Sequence, residues 1–107
     1  MAGQVLLAFS TFPDVEAARK IVRELVNARL CACGNIVPKI ESIYRWRGKL
    51  ESGSEVLAFF KVRADCYPEF QKKLRALHPY EVPEIISCKI DSGLPEYLRW
   101  VAESCAK

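Results

Sequence analysis

From Ile36 to Val62 the chain follows a two-residue period and keeps it for longer than a compact domain needs. Ile36, Pro38, Ile40, Ser42, Tyr44 and Trp46 fall on one face of an extended strand, and Val37, Lys39, Glu41, Arg45 and Arg47 on the other. Ile43 breaks the alternation, so a bulge or a second contact is expected there. Gly48, between Arg47 and Lys49, suits a tight reversal, after which the chain returns through Leu50 and Glu55 to Val62. Strands of about 14 residues, at roughly 3.3 Å each, reach about 45 Å. A compact domain of this length has a radius of gyration near ~13 Å, hence a diameter of roughly 35 Å. The tip around Trp46 to Leu50 therefore overshoots its own domain. An arm baring Ile43, Tyr44 and Trp46 is an aggregation hazard unless other subunits cover it, so the sequence predicts a closed homo-oligomer whose arms pair between chains.

The flanking segments supply the rest of the fold. Val5 to Phe9 is an apolar run suited to a strand buried on both faces, closed by Pro13 with Asp14 as the cap of the following helix. Ala18, Ile21, Val22, Leu25 and Val26 recur at helical spacing and predict an amphipathic helix to about Arg29. Pro68 suits a first helical position, and Phe70, Leu74 and Leu77 extend a second helix to His78-Pro79. Ile85 to Ile90 reads as a strand. Gly93 turns the chain, and Pro95 opens a last helix with Tyr97, Leu98, Val101 and Cys105 on its inner face. The order β-α-β-β-α-β with a terminal helix is the ferredoxin-like split βαβ arrangement, an α+β sandwich with a long hairpin arm, read as one domain over residues 1–107.

Charge and cysteine usage narrow the function classes. The net charge of +3 is small and its signs are interspersed, so nothing calls for nucleic acid. The amino-terminal residues lack a basic region and the apolar run is only strand-length, which predicts neither a signal peptide nor a membrane span. Five cysteines without an export signal point to reduced thiols and a cytoplasmic location. Cys66, Cys88 and Cys105 sit singly among apolar residues and read as core positions.

The chemistry concentrates in His78-Pro79-Tyr80-Glu81-Val82-Pro83-Glu84, which holds the single histidine. Histidine titrates nearest neutrality and ligates metals, while Tyr80, Glu81 and Glu84 donate, accept or ligate. The plainer reading is that the two prolines end a helix and launch a strand, with the polar groups solvated. Cys31-x-Cys33 places two thiols on one strand face, which reads as a pair of core cysteines or as a weak metal signal. Trp46 reads as an interface anchor or a ligand platform. Lys61 lies among apolar residues and must snorkel, pair with Glu81 or Glu84, or face an anion in a cleft. Asn35, His78, Tyr80, Glu81 and Trp100 are candidates for a pocket assembled across subunits. No nucleophile–base pair or Gly-rich phosphate loop stands at a recognised spacing, so enzymatic activity is not expected.

Four blocks carry a resemblance. Ala32-Cys33-Gly34-Asn35-Ile36-Val37-Pro38, Ser42-Ile43-Tyr44-Arg45-Trp46-Arg47-Gly48-Lys49, the run from Ala76 to Ile86 and Tyr97-Leu98-Arg99-Trp100 closely resemble the CutA family of divalent-cation tolerance proteins. The similarity extends from Val5 to about Ser104. It implies a ferredoxin-like subunit, an interlocked homotrimer architecturally similar to the PII signalling proteins, and a role in tolerance of copper and other divalent metals. Members credited with copper ligation carry a cysteine at the end of the first strand and two consecutive histidines before the Pro-Tyr pair. This chain has Ser10 and Leu77 at two of those positions and matches only at His78. The resulting expectation is a non-enzymatic trimer that binds a metal ion, through His78, Cys33 and Glu81, or a small anionic ligand in an intersubunit cleft. That cleft would be lined by Lys61, His78, Tyr80, Glu81, Asn35, Trp46 and Trp100. The alternative is a PII-like small-molecule sensor without direct metal binding.

Overall fold

The computed structural model describes residues 4–105, so the amino-terminal reading at Met1 to Gly3 lies outside the described residues. Strand β1 (Val5–Phe12) leads to helix α1 (Val15–Asn27), then to β2 (Cys33–Trp46) and β3 (Lys49–Arg63). After a short 3-10 turn at Ala64–Cys66 come α2 (Tyr67–Leu77), β4 (Ile86–Lys89) and α3 (Pro95–Ser104). The four strands form an antiparallel sheet in the order β2-β3-β1-β4, which inserts β3 between the two strands joined by α1. Asp14 caps α1 as its position before the amphipathic run suggests, its carboxylate accepting from the Ala17 amide at 2.8 Å.

Strand pairing assigns the two faces of the sheet. Val56, Ala58, Phe60 and Val62 are buried on one face, with Ala8, Ser10 and Phe12 of β1 paired to the same side. Helices α1 and α2 cover this face with Ala18, Val22, Leu25, Phe70 and Leu74. The rings of Phe60 and Phe70 meet edge to face at 5.1 Å, a geometry that adds about 0.5–1.5 kcal/mol to the burial of the rings. Helix α1 crosses β2 at Gly34, where a methyl group would stand 2.6 Å from Val22 Cγ1. Only glycine permits so close an approach.

The opposite face is left half-covered. Leu7, Phe9, Leu57, Phe59 and Lys61 alternate with the core residues, and Ile86 and Cys88 of β4 lie exposed beside them. Cys88 is therefore not a core cysteine: β4 is a short edge strand and pairs Cys88 with Leu7 on the uncovered face. Cys31, Cys66 and Cys105 are buried.

The hairpin is as long as its alternation predicts, and the described residues extend over 47 × 25 × 22 Å. Trp46 pairs with Lys49 across a two-residue turn in which Arg47 and Gly48 both take positive φ, 51° and 81°. That turn follows the right-handed twist of the strands. Ile43, Tyr44 and Leu50 stand exposed toward the tip. The bulge, however, falls between Val37 and Ile40 rather than at Ile43. Pro38 has no N–H for the ladder, and an edge-strand bulge is where a sheet tolerates it. One extra residue in β2 reverses the parity beyond it. Ile36 thus faces the core, while Ile40, Ser42, Tyr44 and Trp46 fall on the uncovered face with Leu57 and Glu55.

Candidate functional site

Two clusters of polar groups occupy opposite ends of the uncovered face. The first lies at the root of the arm, where an open groove of about 870 Å³ is lined by Thr11, Tyr44, Trp46, Glu55, Tyr80, Glu81 and neighbouring residues. One side of it is the segment from Pro79 to Glu84, which the buried His78 anchors. The chain leaves α2 at Leu77, Pro79 forbids a further turn, and His78 adopts an extended φ/ψ that directs the chain across the end of β1. The ring is buried and stacks on Phe12 at 4.8 Å and 17°.

Both imidazole nitrogens of His78 are engaged. Nε2 donates to the Thr11 carbonyl at 2.8 Å, and Nδ1 accepts the Tyr80 amide at 3.1 Å. A carbonyl only accepts and an amide only donates, so the ring is the neutral Nε2–H tautomer. Burial holds its pKa below the usual histidine value, against the smaller upward pull of the Thr11 carbonyl and Glu55. Tyr80 then donates its hydroxyl to Glu55 Oε2 at 2.7 Å. Burial, followed by that carboxylate, pushes the phenol well above its ordinary range, so it stays protonated. Glu81 pairs at 2.9 Å with Arg47 at the arm tip, where both side chains are exposed, a pair worth about 0–1 kcal/mol. Trp46 lies under the Arg47 guanidinium at 5.3 Å.

The second cluster stands at the far end of β3. Lys61 Nζ donates to Asn35 Oδ1 at 2.6 Å and sits 5.3 Å from the centre of the Phe59 ring. Neither Glu81 nor Glu84 pairs with Lys61 among the described residues. Cys33 Sγ approaches Asn35 Oδ1 at 4.0 Å and the Tyr97 hydroxyl at 3.8 Å. Tyr97 and Trp100 of α3 tilt against each other at 5.6 Å, both exposed. Tyr97 therefore turns to the Cys33 side of the sheet rather than joining Val101 and Cys105 in the core. Burial and the Cys33 contact raise the phenol's pKa.

The sequence suggests Lys61, His78, Tyr80, Glu81, Asn35, Trp46 and Trp100 as the lining of a cleft assembled between subunits. Within one chain they divide into His78, Tyr80 and Glu81, with Trp46 farther out along the arm, and Lys61, Asn35 and Trp100 at the other end. Cys33 belongs with the second group, so His78, Cys33 and Glu81 are not gathered into one donor set. The described residues contain no group of three or more His, Cys, Asp or Glu side chains placed to hold a metal ion. Cys31 is inert by burial, which drives its thiol pKa far upward, with Cys105 and Cys33 adding to the rise. Ser10 is buried on the core face with its Oγ unpartnered among the described residues. Sequence reasoning missed Glu55 and Thr11 as partners of the His78 segment, because both are contributed by strands distant in sequence. Tyr97 carried a signal: it lies one position off the strict inner line of Leu98, Val101 and Cys105.

An α+β protein with a four-stranded antiparallel sheet, an overshooting arm and polar groups at both ends of one uncovered sheet face is the class these observations define. The chain belongs to the family described as CutA1 divalent ion tolerance protein, whose model matches residues 6–104. It is 44% identical over 99 residues to a mouse protein named Protein CutA, covering 92% of this chain but 56% of that one. The chain thus spans little more than half of that relative's length. It is 45% identical over 94 residues to the divalent-cation tolerance protein CutA of Thermus thermophilus, 88% of this chain and 91% of that one. A solved divalent cation tolerance protein from that organism superposes with a TM-score of 0.92 at 41% identity, covering 95% and 99% of the two chains. A structure titled periplasmic divalent cation tolerance protein CutA, from Archaeoglobus fulgidus, gives a TM-score of 0.91 at 32% identity over 95% and 99% of the chains.

Proposed function

We propose that this chain is the subunit of a closed, ferredoxin-like homotrimer that serves divalent-cation tolerance without catalysis, by binding a metal ion or a small ligand in clefts between subunits. The observation that carries the reading is the uncovered sheet face. Phe9 and Phe59, at 6.4 Å, continue through Leu57 toward the exposed Tyr44 and Trp46 of the arm, with Ile86 exposed beside Phe9 on the edge strand. An apolar surface running from the body onto a projecting hairpin is suited to burial against copies of itself. In such an assembly the two polar clusters of neighbouring subunits would border common clefts.

The donor chemistry favours a small ligand over copper. His78 offers no open nitrogen in this conformation, and neither the remaining carboxylates nor the Cys33 thiol of one chain makes the nitrogen- or thiolate-rich set that copper selects. A metal would need Cys33 or Glu81 to be joined by groups from another subunit. The PII-like sensor reading draws support from the same facts. Cytoplasmic placement rests on the cysteine content; no helix among the described residues is long and apolar enough to cross a membrane.

Sedimentation equilibrium at micromolar concentration tests the assembly: a trimeric mass is expected, and a monomeric one refutes it. Calorimetric titration of tag-free protein with Cu(II), Zn(II) and Cd(II), repeated on His78→Ala refolded to the same mass, tests the ligand. Metal binding unchanged by that substitution removes His78 as a ligand.

A further inference from the structure

We infer that Lys61 and the Asn35 amide, flanked by the neutral Cys33 and Tyr97, form a carboxylate-free cradle for a carboxylate or phosphate group, with Tyr97 and Trp100 as the platform for an aromatic body attached to it. The inference deepens the small-ligand form of the function proposed above and rests on it.

Lys61 emerges from β3 on the half-buried apolar face, its ammonium beside the Phe59 ring. The ion pairs among the described residues are Arg47–Glu81, Arg63–Asp65 and Lys73–Glu24, and Lys61 takes part in none of them. A cation drawn onto an apolar surface without a counter-ion carries a desolvation cost that an anionic ligand would relieve. Its contact is neutral: Nζ reaches Asn35 Oδ1 at 2.6 Å. One of its three N–H bonds is thereby used, and two are left to donate.

The neighbours have the same polarity. Asn35 Oδ1 is occupied by Lys61 and approached by Cys33 Sγ, so the amide NH₂ of this exposed side chain is turned outward. Tyr97 keeps its proton, and its hydroxyl lies next to the Cys33 thiol. The Lys61 ammonium and the Asn35 amide therefore present free hydrogens to one locality, with the neutral thiol and phenol beside them and no carboxylate among them. Such a set repels a metal cation and matches the oxygens of an anion, where charge-assisted hydrogen bonds are strongest. Beside it, Tyr97 and Trp100 are 39% and 45% exposed, ring edges and faces that an aromatic or heteroaromatic group could cover. The cradle lies at the end of β3 opposite the hairpin turn, at the edge of the apolar face invoked for assembly.

The test is calorimetric titration of the full-length, tag-free protein with three probes: inorganic phosphate, phenyl phosphate and benzoate. Saturable binding of phenyl phosphate or benzoate is expected, and whichever is tighter identifies the anionic group. Lys61→Met should weaken it by about tenfold or more, the loss of one charge-assisted hydrogen bond, while Lys61→Arg retains it. Asn35→Asp keeps the shape but gives Lys61 an internal counter-ion, and should abolish binding without unfolding the chain. Trp100→Ala should erase the preference for phenyl phosphate over inorganic phosphate. No saturable binding of any probe, or equal affinity in Lys61→Met and Asn35→Asp, overturns the cradle. A lack of preference for the aromatic probe in the native protein overturns the platform. The same samples, weighed by sedimentation and titrated with Cu(II), Zn(II) and Cd(II), separate the two levels. A trimer that binds metal but no anion refutes the cradle alone, and a monomer refutes the assembly.

Discussion

Replacing His78 by alanine tests whether this histidine is a ligand or a structural joint. Its ring is 8% exposed, stacked on Phe12, and joined by one hydrogen bond to β1 and one to its own segment. Truncating a buried aromatic ring costs about 3–5 kcal/mol, and each buried backbone group left without its partner about 1–3 kcal/mol more. Relaxation and water entry offset part of this, so a net loss of about 3–5 kcal/mol is expected. With a urea slope of roughly 1–3 kcal/mol/M, the unfolding midpoint should fall by on the order of 1–5 M at fixed protein concentration. The measurement uses chelator-treated protein, so lost metal cannot imitate lost packing. The pH dependence supplies a second readout. The folded-state pKa is lowered from 6.5, so the unfolded chain takes up the proton first. The stability due to the neutral ring is complete above pH 6.5 and declines as pH falls from there toward the folded value, with a slope of at most about 1.4 kcal/mol per pH unit. His78→Ala should remove that component of the slope. An unchanged midpoint and an unchanged acid limb in the variant would refute the structural role and return His78 to the candidate ligands.

Gly34→Ala forces Val22 and Phe60 away from β2 and should cost about 1–3 kcal/mol, read in the same urea titration; a neutral result would mean that α1 rides higher over the sheet. Tyr80→Phe removes the hydrogen bond to Glu55 and should lower stability by about 1–2 kcal/mol in the same titration. Ser10→Ala deletes a buried hydroxyl with no partner among the described residues, and should leave thermal stability equal or higher. A maleimide reagent, mapped by peptide mass, should label Cys88 in dissociated protein well before Cys31, whose thiol is buried and hard to ionise.

The arm shows how far local pattern carries. Period-two alternation and Gly48 specified two long strands and a two-residue turn, because side-chain alternation and the positive φ of a tight hairpin are local properties. The position of the bulge was not read correctly, although Pro38 was in plain view. A missing N–H matters only once a partner strand fixes which amides must pair. Cys88 misled for a similar reason: an apolar neighbourhood in sequence says nothing about whether a strand ends at the edge of a sheet. The helices were legible almost to the residue, with Asp14, Pro68 and Pro95 marking their starts.

The site divides along the same line. Sequence alone singled out His78, Lys61, Asn35, Tyr80, Glu81, Trp46 and Trp100, because side-chain chemistry and family blocks are written residue by residue. It could not show how they divide within one chain, nor that Thr11 and Tyr80 saturate the imidazole. Those facts depend on which strand lies beside which. Element order and chemistry are local and were determined by the sequence. Exposure, protonation and hydrogen-bond partnership depend on contacts such as Thr11 with His78, 67 residues apart, and only the tertiary structure decided them.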